Sequence, residues 1–237
     1  SIPIGAGLSS SAALLVAATR AFCLSSGLEL SKRTIAQVGK KAESEWVGVN
    51  VGIMDQLISV AGKAGHAVCL DCRTLDYEYV PIPENISFVV LDTKTRRELS
   101  LSAYNTRHEE VKEASKRLGV NTLRDANLSL LEEKKGMLSE PLFRRARHVI
   151  TENERVLAFS AAMKKGDLGK MGSLISASHA SLCDDFEVSS KELNLIVDIA
   201  QNQPACLGAR MTGAGFGGCA LAIIENAHVG GFINQVE

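Results

Sequence analysis

The 237-residue sequence predicts an α+β fold in two domains, and three observations carry that expectation. Helical patterns open the chain and dominate its second half. Strand-like apolar runs come in pairs, "HAVCLDC" with "YEYVPI" around a turn, and the two ends of "LGARMTGAGFGGCALAII" around a glycine loop. Pro81 and Pro83 then punctuate the chain before a new apolar strand, "ISFVVLD", and put a domain boundary near 83.

Taken in order, the run Ala12 to Ala18 has no charge and reads as a buried helix that ends at Thr19 and Arg20. Gly27 suits its C-cap, and Ser31 suits the N-cap of a second helix with Ile35, Val38, Ala42 and Trp46 on one face. Glu43 falls on the adjacent, more polar face. A glycine-punctuated loop follows, then a short helix beginning near Asp55, then the paired strands. Beyond residue 83, Val111, Ala114 and Leu118 mark one helix face, and a long helix after Pro141 runs through Val149, Val156 and Met163. Asp167 caps another helix, and Ser189 with Glu192 forms a capping box for the next. No internal repeat or low-complexity tract interrupts the pattern.

Composition narrows the function classes. Hydrophobic residues make up 46% and charged residues 22%, which is ordinary for a folded chain with a real core. A formal net charge of -1 gives no electrostatic reason to expect nucleic acid or an anionic membrane as partner. No run approaches the length of a membrane span, and no secretory leader opens the chain, so a cytoplasmic protein is expected. Among six cysteines only Cys69 and Cys72 form a C-x-x-C pair, and His66 alone is a thin complement for zinc. Reduced thiols are the expectation.

The stretch "PIGAGLSSSAALLVAA", residues 3 to 18, sets glycines and three serines before an apolar helix. Glycines there leave the first helical N–H groups uncovered, at the positive end of the helix dipole, where phosphate binds well. An ordinary serine N-cap is the simpler alternative. The loop "GAGFGG", 213 to 218, matches G-x-G-x-x-G but leads into a strand, whereas a dinucleotide loop leads into a helix. It is either a tight hairpin or a loop pressed against a ligand or another loop. Asp55 reads on spacing alone as an N-cap, with a proton-accepting carboxylate as the functional alternative. Glu43 by default is a solvated helix carboxylate.

Six stretches in this order resemble the GHMP kinase superfamily, and within it the galactokinase family of bacterial type: "GAGLSSSAA" (5–13), "GIMDQ" (52–56), "LDTKTRRELSLSAYNTR" (91–107), "TENERV" (151–156), "ASHASLCDDFEVS" (177–189) and "RMTGAGFGGC" (210–219). The resemblance implies a GHMP kinase fold. Residues 1–83 would be the remainder of a ribosomal-S5-like, ATP-binding N-terminal domain, and residues 84–237 a ferredoxin-like C-terminal domain. It implies ATP-dependent phosphorylation of galactose at its anomeric hydroxyl, with ATP and Mg2+ as cofactors and small molecules as partners. Gly5, Ala6, Gly7, Leu8, Ser9, Ser10 and Ser11 would hold the ATP phosphates, Ser11 and Glu43 the magnesium ion, and Asp55 would be the catalytic base. Gly52 and Tyr104, with Asp55, would line the sugar pocket, and the 213–218 loop would pack beside the phosphate loop.

The family also carries an arginine and a glutamate-histidine-aspartate cluster upstream of the phosphate loop, which this stretch lacks, so the stretch by itself is expected to be inactive. The alternatives are a non-catalytic sugar and ATP sensor, or a kinase for a related sugar such as N-acetylgalactosamine.

Overall fold

The structure is a computed structural model that describes residues 8–46, 51–95 and 100–236. The chain divides into two compact units, Ser1–Glu84 and Asn85–Glu237.

In the first unit, helices α1 (Ser10–Ser26), α2 (Lys32–Glu45) and α3 (Met54–Ala61) precede a two-stranded antiparallel ribbon, β1 (His66–Leu70) and β2 (Tyr77–Pro81). Gly27 ends α1 at φ +66°, a left-handed cap that glycine adopts without strain, and its N–H donates to the Cys23 carbonyl. Ser31 starts α2 by accepting from the Thr34 N–H. The ribbon turns at Asp71, whose Oδ1 accepts from the N–H groups of Arg73 and Thr74. Val16, Ile35, Ala36, Ile53, Leu57, Val60 and Ala61 form the core of this unit.

Two faces differ from those the sequence predicts. Helix α1 is predicted to be buried along Ala12–Ala18, yet it buries only Ala12 and Val16, and Leu14 is 71% exposed. It packs on one side only, against α2 and α3, so a charge-free stretch still faces out. Helix α2 buries Ile35, Ala36, Gly39 and Glu43, whereas Val38 and Trp46 of the predicted face are exposed. Space explains the choice. A Cβ on Gly39 would stand 3.3 Å from Cγ of Gln56, so the small side of α2 faces its neighbours.

The second unit is built on an antiparallel sheet of β3 (Ile86–Asp92), β4 (Cys206–Met211) and β5 (Cys219–Glu225) in the order β3–β5–β4. Its helices are α4 (Ser100–Leu118), α5 (Leu128–Glu133), α6 (Glu140–Lys165), α7 (Leu168–Asp184), α8 (Lys191–Gln201) and α9 (Val229–Val236). Sheet residues Leu91, Ala209, Ala220, Ala222 and Ile224 pack with Val197 and Ala200 of α8 and Phe232 of α9. A second core joins α4, α5 and α6 through Ala114, Leu118, Leu131, Phe143 and Ile150.

Helix α7 lies directly on β4. A Cβ on Gly172 would fall 2.0 Å from the Leu207 carbonyl oxygen, and one on Gly208 2.4 Å from that of Gly172, so glycine is required on both sides. Asp167 caps α7 through the Lys170 N–H as predicted. The cap of α8 is one residue later than the capping box predicts: Ser190 accepts from the Leu193 N–H, while Ser189 donates to Asn194 Oδ1. On α6, Met163 is buried but Val156 is 48% exposed.

Candidate active site

Gly5, Ala6 and Gly7 lie outside the described residues, and the visible part of the glycine-serine loop starts at Leu8. Ser9 occupies the N-cap position of α1 in a left-handed conformation, φ 60° and ψ 36°, and makes no side-chain cap hydrogen bond. The ordinary serine N-cap, with extended backbone and a capping hydroxyl, is therefore not what forms here. The Ser9 carbonyl accepts the Ala13 N–H at 3.0 Å, which leaves the N–H groups of the turn before it without intrahelical acceptors. They stand at the positive end of a 17-residue helix beside the hydroxyls of Ser9, Ser10 and Ser11.

Asp55 and Gln56 share the first turn of α3, whose N-cap is Ile53. Asp55 is thus inside the first turn of the helix rather than its cap; it is half-buried, at the end where helical N–H groups favour a carboxylate. Gln56 points the other way and is 1% exposed. Its Nε2 donates to Glu43 Oε2 at 2.7 Å, while its own Oε1 is buried with no partner among the described residues. The sequence puts Glu43 on a solvated face; it is buried instead, because α2 turns its small side inward and Gln56 meets it there. At Gly52, just before α3, neither backbone nor packing demands glycine, since an added Cβ meets nothing within 4 Å.

The second unit holds Tyr104, half-buried on α4, and the glycine loop between β4 and β5. Gly213, Gly215, Phe216, Gly217 and Gly218 all have positive φ. A Cβ at Gly215 would stand 2.1 Å from the Val188 carbonyl oxygen, which also accepts the Phe216 N–H at 2.7 Å. The far end is tied by Thr93, whose N–H and hydroxyl both donate to the Gly218 carbonyl. Strand β5 follows the loop, in keeping with the rejection of a dinucleotide fingerprint.

The sequence alone assigns no task to the stretches 151–156 and 177–189, and the structure gives them one. Arg210, two residues before the loop, donates to Glu152 Oε1 at 3.0 Å and to Ser178 Oγ at 2.8 Å, and Ser178 in turn donates to Glu152. Burial would raise the Glu152 carboxyl, but Ser178, Arg155 and Arg210 hold it below the usual carboxylate range. Arg145, 3% exposed, donates to Glu110, to the Asp185 carbonyl and to Glu187. The 184–188 segment is clamped in this way, and its Val188 carbonyl in turn fixes the glycine loop. Alternating acids and arginines signal such a network in sequence, but not its pairing. Among the described residues no group of three or more His, Cys, Asp and Glu could hold a metal, and the six cysteines form no disulfide.

Two family models match the chain in order, the GHMP kinases N-terminal domain over residues 1–63 and the GHMP kinases C-terminal model over residues 159–236, together more than half of it. The chain belongs to the GHMP kinases. The relatives it matches at 42–46% identity are galactokinases. It is 44% identical to a galactokinase of Roseiflexus sp. (strain RS-1), over 96% of this chain and 60% of that protein. It is 46% identical to one of Chloroflexus aurantiacus, over 98% and 61%. The crystal structure of Lactococcus lactis galactokinase complexed with galactose superposes with a TM-score of 0.94 at 39% identity, covering 99% of this chain and 62% of that one. The chain spans about three fifths of the length of the relatives it matches. No helix among the described residues is long and apolar enough to cross a membrane.

Proposed function

We propose that this chain is the greater part of an ATP-dependent galactokinase, which transfers the γ-phosphoryl group of ATP to the anomeric hydroxyl of galactose. The observation that carries this reading is the 42–46% identity to galactokinases over nearly the whole chain. Residues 1–83 are assigned to the ATP-binding N-terminal domain and 84–237 to the C-terminal domain.

In this reading the ATP phosphates lie at the start of α1, held by backbone N–H groups and hydroxyls from Gly5, Ala6, Gly7, Leu8, Ser9, Ser10 and Ser11. The left-handed Ser9 supports the assignment, because its side chain caps none of the N–H donors of the turn. Asp55 accepts the proton of the anomeric hydroxyl as that oxygen forms its bond to the γ-phosphorus and the bond to the ADP oxygen breaks. Gly52 and Tyr104 are assigned to the sugar. Ser11 and Glu43 fit a magnesium ion: both offer oxygen, and Glu43 is a buried carboxylate with no ion pair among the described residues. When bound, magnesium supplies neutralisation of charge on the phosphates. The same reading puts the protein in the cytoplasm.

The test is galactose-dependent ADP release by the complete enzyme of which this chain is the greater part, with phosphorus NMR locating the new phosphate. A phosphate at the anomeric carbon is expected. Release that is indifferent to galactose, or that requires a different sugar, overturns the reading.

A further inference from the structure

We propose that Gln56 is a positioning residue whose side-chain amide sets the Glu43 carboxylate for a divalent cation. The inference rests on the assignment of Glu43 to that cation and adds a residue to it. Three observations carry it. Gln56 is 1% exposed and donates from Nε2 to Glu43 Oε2 at 2.7 Å. Its Oε1 is buried with no partner among the described residues. Glu43 itself is buried and, among the described residues, has no other hydrogen bond and no ion pair.

The amide has one workable orientation, since the reverse would set its Oε1 against a carboxylate oxygen, acceptor to acceptor. Holding that orientation strands Oε1 in the interior, which is unfavourable to the fold. A carboxylate buried against one neutral donor is unfavourable too, and an apolar pair of the same shape would pack without either penalty. The pair is therefore poorly explained by stability. It is well explained as a fixed carboxylate with an unspent oxygen, awaiting positive charge. Asp55 and Gln56 are consecutive, and side chains one residue apart on a helix diverge by about 100°. A single turn of α3 thus presents the proposed base outward while it grips the proposed cation ligand inward.

The test is Mn2+ affinity measured by electron paramagnetic resonance on the complete enzyme with a non-hydrolysable ATP analogue, in parallel with the magnesium dependence of turnover. Gln56→Met keeps the volume and removes the donor; its Mn2+ affinity is expected to fall about 10- to 100-fold, as for other residues that orient a metal ligand. Because Gln56 acts through Glu43, the double variant with Glu43→Gln should bind no more weakly than Glu43→Gln alone. Gly39→Ala gives an independent reading and suffices where Gln56→Met does not fold. Its new methyl group would press on Gln56 Cγ, 3.3 Å away, while alanine favours helix α2. A severalfold loss of Mn2+ affinity without a lower melting temperature is expected, a combination that a packing role would not give. Wild-type Mn2+ affinity in Gln56→Met and Gly39→Ala, with Glu43→Gln impaired, overturns the inference and leaves the cation assignment standing. Wild-type affinity in Glu43→Gln overturns both.

Discussion

Ser9 holds a backbone conformation that costs a non-glycine residue about 1–2 kcal/mol, at a position where an extended serine would have capped the helix instead. The strain is understandable if the uncapped turn is a binding surface. Asp55, inside the first turn of α3, is likewise not needed as a cap. In the complete enzyme Asp55→Asn is expected to lower kcat by about 10²- to 10⁴-fold with little change in ATP affinity, measured by steady-state kinetics and nucleotide titration. A loss under about tenfold would return Asp55 to a structural role. His148 makes a prediction of another kind. Burial, with Arg155 and Arg210 adding to it, lowers its pKa from 6.5 to about 4, and its ring stacks on Phe186 at 4.5 Å. The unfolded chain binds a proton near pH 6.5 and the folded chain does not until about pH 4. Stability is therefore full above pH 6.5 and drains away as pH falls through that window, by up to about 3 kcal/mol. Glu152 and Glu187 have lowered pKa values and release stability only below 4.5, so the two effects separate in a melting-temperature profile. Burial also lowers the pKa of His179, so His148→Gln should make the profile shallower between pH 6.5 and 4.5 without flattening it; an unchanged slope there would mean that His148 does not contribute.

Among the elements, the α7–β4 contact is the least forgiving. Gly208→Ala would drive a methyl group to 2.4 Å from the Gly172 carbonyl oxygen and 2.6 Å from Ile175 Cγ2, with rigid backbone on one side. Destabilisation of about 3 kcal/mol or more is expected by urea unfolding, whereas Gly136→Ala, with open space around it, should stay within about 0.5 kcal/mol. Element types and caps were legible where local chemistry decides them: Asp167 and Ser31 cap their helices because a short acceptor before an amphipathic run has one good use. Faces were less legible. The inward side of α2 is chosen by how closely α1 and α3 approach, and small residues such as Ala36 and Gly39 carry that information weakly in a pattern built on hydrophobicity. The same blindness hid Gln56, since a polar residue next to Asp55 looks like one more exposed position until α2 is packed against it.

For the molecule as a whole, the α+β plan was readable because two pairs of its strands are linked by turns and the rest of its pattern is mainly helical. The buried arginine and carboxylate network of the second unit was not, because pairings such as Glu152 with Arg210 cross 58 positions of sequence. Surface chemistry differs between the parts. On and just after α1, Leu14, Phe22, Leu24 and Leu28 are 60–84% exposed. An apolar patch of this kind favours association, so the 237-residue chain is expected to show concentration-dependent sedimentation, lessened in a Phe22→Ser, Leu24→Lys variant. A single sedimenting species at every concentration would contradict this.

Trp46, at the C-terminal end of α2 and three residues beyond Glu43, is the chain's sole tryptophan and is 87% exposed. An indole in water relaxes the solvent around its excited state and emits far to the red, where iodide can quench it. The protein therefore carries an intrinsic fluorescent reporter at one known place. Whatever covers that end of α2 shifts the emission to the blue and shields it from iodide, with no dye attached and no second tryptophan to confuse the signal.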